Sequence, residues 1–375
     1  MAIPIYKLID KWIGIPLCCI AGTTSKIAGK PKIPLNPRSI IFVKLWAMGD
    51  SIVMIPLIKA MRDKFPTAEI NVLCRKRNRE VFDCTQGISS IKLFEPDMKS
   101  MSDLIKDIRH YDIVIDGEPY LRLSALLSFW LGTIRIGWGG FARSKIYTIP
   151  VTFDRTKHMV QNYLALGEPL GASYKPKLLV KPNVSQSDKD HASMTLESRG
   201  IRAKDTVVGA CPSVAESSKS RQWMPERFAE ALDKIARRHK AKILFFGGRG
   251  DLEAINQVKD LMKEDSVVLA GQLTLPQTFA ALERCDLVIS VDTGPMHAAA
   301  AMGTPTIGLF GPNIPALWAP YGPGNIALYH PLDCSPCIIN EKGVMPPCKR
   351  KDELHKCMKM LTVDEVVKAA DKLLD

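Results

Sequence analysis

The sequence predicts an α/β protein built from two doubly wound, Rossmann-like domains that face each other across a cleft. Three observations predict it. From Ser39 onward, short apolar runs that read as buried parallel strands alternate with helix-like segments. Between about Gly167 and Lys204 that rhythm gives way to Pro, Ser, Lys and Asp, and then it restarts. Late in the chain, the run Asp286–Ser290 breaks at Thr293-Gly294-Pro295 into the alanine-rich stretch Met296 to Met302, a strand, turn and closely packed helix.

The segments follow in order. Ile3 to Ile20 mixes Tyr6, Leu8, Trp12, Ile13 and Leu17 with Lys7, Asp10 and Lys11. Asp10 and Lys11 interrupt the apolar core that a signal peptide needs. The segment reads as an interfacial helix with Trp12 at headgroup level, the alternative being a helix packed on the protein's own surface. Lys26 to Arg38 reads as a basic linker suited to an anionic leaflet. Strands are expected at Ile40–Leu45, Glu69–Cys74, Tyr111–Asp116 and Ile134–Trp138, with an amphipathic helix over Ser51–Lys64. A helix over Ser185–Ser198 lies in the junction. The second series of strands is expected at Thr206–Cys211, Ala241–Phe246, Ser266–Leu269, Leu287–Ser290 and Thr306–Phe310, and a last helix at Val363–Leu374. The expected organisation is therefore an amphipathic segment and linker over 1–37, a first Rossmann-like domain over 38–170, a junction over 171–204, a second such domain over 205–330, and a cysteine-containing loop with a terminal helix over 331–375.

Composition bounds the function. At 375 residues the chain can form two domains with separate cores. A formal net charge of +12 points to acidic partners: a membrane face, a phosphorylated sugar or a nucleic acid. Nucleic acid is set aside, because no RNP-like aromatic motif, paired zinc-finger spacing or basic heptad region is present. The ten cysteines are scattered among core-like positions rather than forming a dense disulfide framework. No apolar run approaches the ~18 residues needed to span a bilayer.

Four constellations fall at predicted strand ends, where doubly wound sheets bind ligands. In Lys44-Leu45-Trp46-Ala47-Met48-Gly49-Asp50 the first strand turns through Gly49 into a helix, with Asp50 placed as its N-cap on local grounds. Cys211-Pro212-Ser213 is followed by Lys219-Ser220-Arg221-Gln222-Trp223-Met224-Pro225, where Lys219 and Arg221 stand before a proline-started helix, a position that suits an anion. Gly247-Gly248-Arg249-Gly250-Asp251 is a glycine turn. The fourth is Asp292-Thr293-Gly294-Pro295-Met296-His297, where unpaired helix N–H groups attract phosphate, flanked by an acceptor and a titratable ring. Alone, Asp292 reads as a cap and His297 as a packed histidine.

Together these motifs resemble glycosyltransferase family 9, the ADP-heptose:lipopolysaccharide heptosyltransferases. The resemblance rests on Asp292-Thr293-Gly294-Pro295-Met296-His297-Ala298, Pro305-Thr306-Ile307-Gly308-Leu309-Phe310-Gly311-Pro312, Leu45-x-Ala47-x-Gly49-Asp50 and Trp223-x-Pro225-Glu226-Arg227-Phe228. It covers about Ile40 to the carboxyl terminus and implies the GT-B fold, with the acceptor bound by the first domain and the sugar nucleotide by the second. It implies Asp50 as the general base, with Gly49 and Trp46 on the acceptor side. It implies Asp292, Thr293, Gly294 and His297 around the donor and Arg221 on its phosphates, with Ser213 and Lys219 beside them. Two positions depart from the family pattern: Arg221 stands where lysine is usual, and Trp46 where serine is usual, offering a ring for a sugar face. The resemblance implies transfer with inversion, and because no Asp-x-Asp stands where a metal would bridge the diphosphate, the expected reaction is metal-independent, with no cofactor required.

The implied partners are a nucleotide-sugar donor, a lipid-linked glycan acceptor and, through residues 1–37, the cytoplasmic face of a bacterial inner membrane. The alternatives are a same-fold transferase or epimerase using another nucleotide sugar, or a catalytically silent, membrane-associated sugar-nucleotide binder. Finally, Cys334, Cys337, Cys348 and Cys357 allow a structural zinc, with His330 and His355 as substitutes, or a disulfide, or reduced thiols.

Overall fold

The computed structural model describes residues 10, 14–27, 31–140 and 142–375. It divides into two compact units, Met1–Lys175 with Asn340–Gly343, and Pro176–Ile339 with Val344–Asp375.

The first unit holds strands β1 (Ser39–Lys44), β2 (Glu69–Cys74), β3 (Ser90–Leu93), β4 (Tyr111–Asp116), β5 (Gly132–Trp138) and β6 (Ile149–Val151). Its helices are α1 (Gly14–Ile27), α2 (Met48–Lys64), α3 (Lys76–Asp83), α4 (Met98–Ile105), α5 (Arg122–Leu131) and α6 (Met159–Ala165). The sheet is parallel in the order β3-β2-β1-β4-β5-β6. Ile40 to Lys44 are fully buried, as expected of a central strand covered on both faces. The register sets Val43 opposite Asp116, so β1 and β4 end side by side.

The second unit repeats this plan with β7 (Val207–Cys211), β8 (Lys242–Phe245), β9 (Ser266–Val268), β10 (Leu287–Val291), β11 (Thr306–Phe310) and β12 (Ile326–Tyr329). Its helices are α7 (Gln186–Ser198), α8 (Pro225–His239), α9 (Leu252–Lys259), α10 (Leu275–Glu283), α11 (Gly294–Met302), α12 (Pro315–Trp318), α13 (Lys356–Lys359) and α14 (Val363–Leu374). The parallel order β12-β11-β10-β7-β8-β9 is the first sheet's order read from the other end. Here Ser290 lies opposite Cys211, so the loops after β7 and β10 leave from adjacent positions. Within each unit, the point where strand order reverses lies between these two strands, where such sheets bind ligands.

Local chemistry fixes the helix ends. Pro225 and Pro295 stand in the first turns of α8 and α11, where a missing N–H costs nothing. Thr362 and Glu365 form a reciprocal capping box at α14. α7 packs against α10 in the second unit, where Gln277 donates to Asp188 at 3.4 Å.

Two features differ from the sequence reading. The strands β3, β6 and β12 escaped the sequence reading: they are sheet edges of three or four residues, only partly buried, and too short to give a period. α2 begins at Met48 rather than near Ser51, because Ala47 adopts a left-handed φ of +58° and makes the turn itself. Asp50 therefore lies inside the first helical turn and is not its cap.

Trp12 and the rest of residues 1–9 and 11–13 lie outside the described residues. In α1, Cys18 and Ala21 are buried against α5 and the turn at Ala142–Ile146, while Leu17 and Ile20 face outward. Asp10 accepts from the first N–H groups of α5, at 3.0 Å from Arg122 and 2.9 Å from Leu123, and so caps that helix. Among the described residues, no helix is long and apolar enough to cross a membrane.

Candidate functional site

In the first unit the carboxyl end of β1 carries Lys44, whose side chain is wholly buried. A buried ammonium needs a counter-charge, and the loop after β4 supplies one. Glu118 Oε1 accepts from Lys44 Nζ at 3.1 Å and from the backbone N–H groups of Leu45 and Trp46, each at 2.7 Å. The other oxygen, Oε2, is buried without a hydrogen-bond partner. Lys44 Nζ also lies 3.5 Å from Asp50 Oδ2, on a side chain that is 23% exposed. Burial opposes the Lys44 charge, but Glu118, Tyr163 and Asp50 outweigh it and hold the ammonium's pKa above the ordinary lysine value.

The surrounding backbone is braced. Asn78 Nδ2 donates to the Lys44 carbonyl at 3.0 Å and to Ser51 Oγ at 2.9 Å. Ser51 in turn donates to the Ala47 carbonyl at 2.9 Å. Glu118 N–H donates to Asp116 Oδ1 at 2.9 Å, and the buried Arg143 donates to the Glu118 carbonyl. Gly117 is required between them, since a Cβ there would come within 2.5 Å of Met54 Sδ. Gly49 is buried in the first turn of α2. The Trp46 ring stacks beneath two guanidinium groups, with Arg77 4.9 Å and Arg75 5.7 Å from its centre. Arg75 is itself held by Glu95.

In the second unit β10 runs into Asp292, and α11 starts at Gly294. Thr293 is the N-cap, with extended backbone and no side-chain capping bond; its hydroxyl turns back to the Val291 carbonyl at 3.3 Å. The buried Asp292 carboxylate accepts from Asn313 Nδ2 at 2.6 Å and pairs with Arg221 Nη1 at 3.3 Å. Arg221 also donates to the Asp292 carbonyl, while its Nε is buried without a partner. His297 is buried on α11 with its ring 6.1 Å from that of Trp318. Gly308 lets α11 approach β11, since a Cβ there would strike Met296 Sδ at 2.7 Å.

Ser213 donates to Asp251 Oδ1 at 2.5 Å, and Asp251 Oδ2 accepts from the Gly248 N–H. The second and third sequence constellations are therefore one structural cluster. Lys219 is exposed in the turn before α8. Two residue-rich arrangements thus stand at the two strand reversals: a lysine–carboxylate cluster in one unit, and a helix terminus with a guanidinium in the other.

These units are shared with known proteins. The sequence profile described as "Glycosyltransferase family 9 (heptosyltransferase)" matches residues 101–345.

The chain belongs to glycosyltransferase family 9.

This glycosyltransferase is 25% identical over 296 residues to the lipopolysaccharide core heptosyltransferase OpsX of Haemophilus influenzae, covering 76% of this chain and 82% of that one. Among solved structures it resembles a family 9 glycosyl transferase from Veillonella parvula, with a TM-score of 0.75, 26% identity, and 91% of this chain and 98% of that one covered. It also resembles the Escherichia coli ADP-heptose LPS heptosyltransferase II, with a TM-score of 0.70, 21% identity, and 90% and 98% coverage. The fold of the glycosyltransferase is GT-B, with two parallel six-stranded sheets.

The structure brings Asp292, Thr293, Gly294, His297 and Arg221 together in one unit and Trp46, Gly49 and Asp50 in the other. Sequence reasoning missed Glu118 and Asn313 as members of these clusters, and it quoted Lys44 in the first constellation without giving it a role. A carboxylate just past a predicted strand, in Asp116-Gly117-Glu118, was the available signal for the first.

The zinc reading of the carboxyl-terminal cysteines finds no support in the geometry. Among the described residues, no group of three or more His, Cys, Asp or Glu side chains is placed to hold a metal ion, and none of the four thiols forms a disulfide. Cys334, Cys337, Cys348 and Cys357 line one cavity of about 40 Å³. Cys348 Sγ accepts the His355 N–H at 3.3 Å, and burial pushes the Cys357 thiol up to about 11, which keeps it protonated. His330 is engaged by Glu365 at 2.8 Å. The motif Trp223-x-Pro225-Glu226-Arg227-Phe228 also serves the architecture. Trp223 Nε1 and Arg227 both donate to the Leu361 carbonyl, fastening the carboxyl-terminal segment to α8.

Proposed function

We propose that this chain transfers a heptose from ADP-heptose to a lipopolysaccharide core or a related envelope glycan, with inversion and without a metal. The observation that carries the reading is the Arg221–Asp292–Asn313 cluster at the amino-terminus of α11, which sets a guanidinium and a helix dipole where a diphosphate would bind. The relatives named above, among them an ADP-heptose enzyme, support the donor and the acceptor class.

In this reading Asp50 takes the proton of the acceptor hydroxyl. The freed oxygen forms the new bond at the anomeric carbon as the bond to the diphosphate breaks, and the electron pair leaves with ADP. Arg221 and α11 stabilise the leaving charge. Thr293, Gly294 and His297 hold the donor, and Ser213 and Lys219 border it. On the acceptor side Trp46 presents its ring and Gly49 admits close approach. The 38–170 region takes the acceptor and 205–330 the donor.

The test is a thermal-shift screen with ADP-heptose, UDP-sugars and GDP-sugars, since a ligand bound only by the native state stabilises by mass action. Stabilisation by ADP-heptose is expected; stabilisation by UDP-sugars alone overturns the heptose assignment.

The enzyme works, in the same proposal, on the cytoplasmic face of the inner membrane. The outward Leu17 and Ile20 of α1, together with the net charge of +12, suit an anionic bilayer. Leu17→Asp/Ile20→Asp should release the protein from phosphatidylglycerol-containing vesicles in a sedimentation assay; undiminished binding removes α1 from the contact.

A further inference from the structure

The buried Lys44–Glu118 pair has no evident reason to exist on stability grounds. An apolar pair of similar volume commonly serves a core as well or better, because desolvating two charges offsets most of their attraction. This pair is also imperfect: one Glu118 oxygen takes three donors and the other takes none. What the pair does achieve is placement. Glu118 gathers the N–H groups of Leu45 and Trp46, which fixes the start of the turn into α2. It also holds the Lys44 ammonium so that its remaining hydrogens reach toward Asp50 at 3.5 Å. The third titratable group around Lys44 is Tyr163 of α6, a buried hydroxyl whose pKa is raised first by that burial.

We propose that Lys44, locked by Glu118, is a positioning residue for the reaction: it fixes the orientation of the Asp50 carboxylate and keeps it ionised to receive the acceptor proton. This rests on the reading of Asp50 as the acceptor base. The ammonium is an internal cation that never leaves the site, and it stays charged throughout the cycle. Asp50 is the only member of the cluster with substantial exposure, so it alone meets substrate while the other two act through it. The arrangement also sets a limit on basicity. A full positive charge beside Asp50 would make it a poor proton acceptor, and Glu118 offsets part of that charge.

Removal of either partner therefore moves the acid limb of kcat/KM in opposite directions. In Lys44→Met the carboxylate loses its cation and ionises less readily, so the limb moves up, by about one pH unit for a charge at this range. In Glu118→Gln the Lys44 charge acts on Asp50 uncompensated, so the limb moves down. The experiment measures ADP release against pH with ADP-heptose and a heptose-deficient lipopolysaccharide core, on the full chain. Thermal melting of each variant runs beside it, with donor KM recorded separately from kcat.

The expected result is opposite displacements with donor KM within about threefold of the parent. Where Lys44→Met does not fold, the downward shift in Glu118→Gln carries the test alone. Displacements in the same direction, or none, with folding intact, overturn the inference and reduce the pair to a structural brace. Asp50→Asn is measured in parallel: retained turnover overturns both the base reading and this inference. Abolished turnover with an unmoved limb in the other variants overturns only the role of Lys44.

Discussion

The two sheets share one strand order, yet their reversal points are filled in opposite ways. In the first unit, Glu118 occupies the crevice between β1 and β4 and accepts the N–H groups of Leu45 and Trp46. A side-chain carboxylate sits there as a bound anion would. In the second unit the N-cap Thr293 makes no side-chain capping bond to α11, and the nearby carboxylate of Asp292 is tied up by Arg221 and Asn313. One crevice has its N–H groups met by a carboxylate, and the other pairs its carboxylate with a guanidinium at a helix start that its own N-cap side chain leaves open. The same topology thus carries a carboxylate holding backbone N–H groups in one unit and a helix terminus beside an arginine–aspartate pair in the other.

Asp50→Asn tests that division most severely. It should lower turnover by roughly four orders of magnitude, the upper range for a lost general base, while donor-induced thermal stabilisation persists. Loss of donor binding in this variant would break the division of labour. Next in size is the stability of the internal pair. Lys44→Met leaves Glu118 buried and uncompensated and should cost about 3–5 kcal/mol in denaturant melts, whereas Lys44→Met/Glu118→Leu should recover most of it. A double variant no better than the single would mean that the backbone bonds to Glu118 matter more than the ion pair.

Arg221→Ala should weaken donor binding by about 2 kcal/mol or more, roughly thirtyfold, measured by calorimetry with ADP. Arg221→Lys should keep the charge and lose only the fork. Equal losses in both would show that geometry, not charge, dominates the second crevice. The smallest effect concerns the Arg75–Glu95 pair that steadies the cation over Trp46. Burial opposes the Glu95 charge, but Arg75 and the Lys76 N–H outweigh it and hold its pKa below the ordinary glutamate value. Its contribution is therefore present above that ordinary value and lost as the pH falls through the lowered one. Because the pair is partly exposed, the term should stay below ~1 kcal/mol, read as the difference in acid melting between the parent and Glu95→Gln.

The second crevice was legible in the sequence because each of its two main parts lies within a local pattern, although the pattern does not show that they meet. Asp292 through His297 form one strand–turn–helix, and Arg221 precedes a proline-started helix. The first crevice was legible only in half. Lys44 and Glu118 are joined by the parallel pairing of β1 with β4, which brings together residues that no local pattern relates. Asn313 was hidden for the same reason, arriving from the loop after β11. Asp50 read as a helix cap because the left-handed turn at Ala47 lies in a residue type that gives no warning of it. The cysteine spacing allowed a metal, a disulfide or free thiols; the structure shows free thiols, with Cys357 buried and Cys348 accepting a backbone N–H, which spacing does not encode.

The fastening of Leu361 by Trp223 and Arg227 bears on how the protein is made. The core beneath α8 is completed by Cys357, Met358, Leu361, Val366, Val367 and Ala370, which are synthesised long after the strands they cover. While translation passes β12, the side of α8 that faces α14 has no cover, and Trp223 waits for a partner more than a hundred residues behind it. The second unit thus completes its core only when this late segment leaves the ribosome. In the interval, the nascent chain offers a chaperone a tryptophan-bearing apolar surface that the finished enzyme conceals.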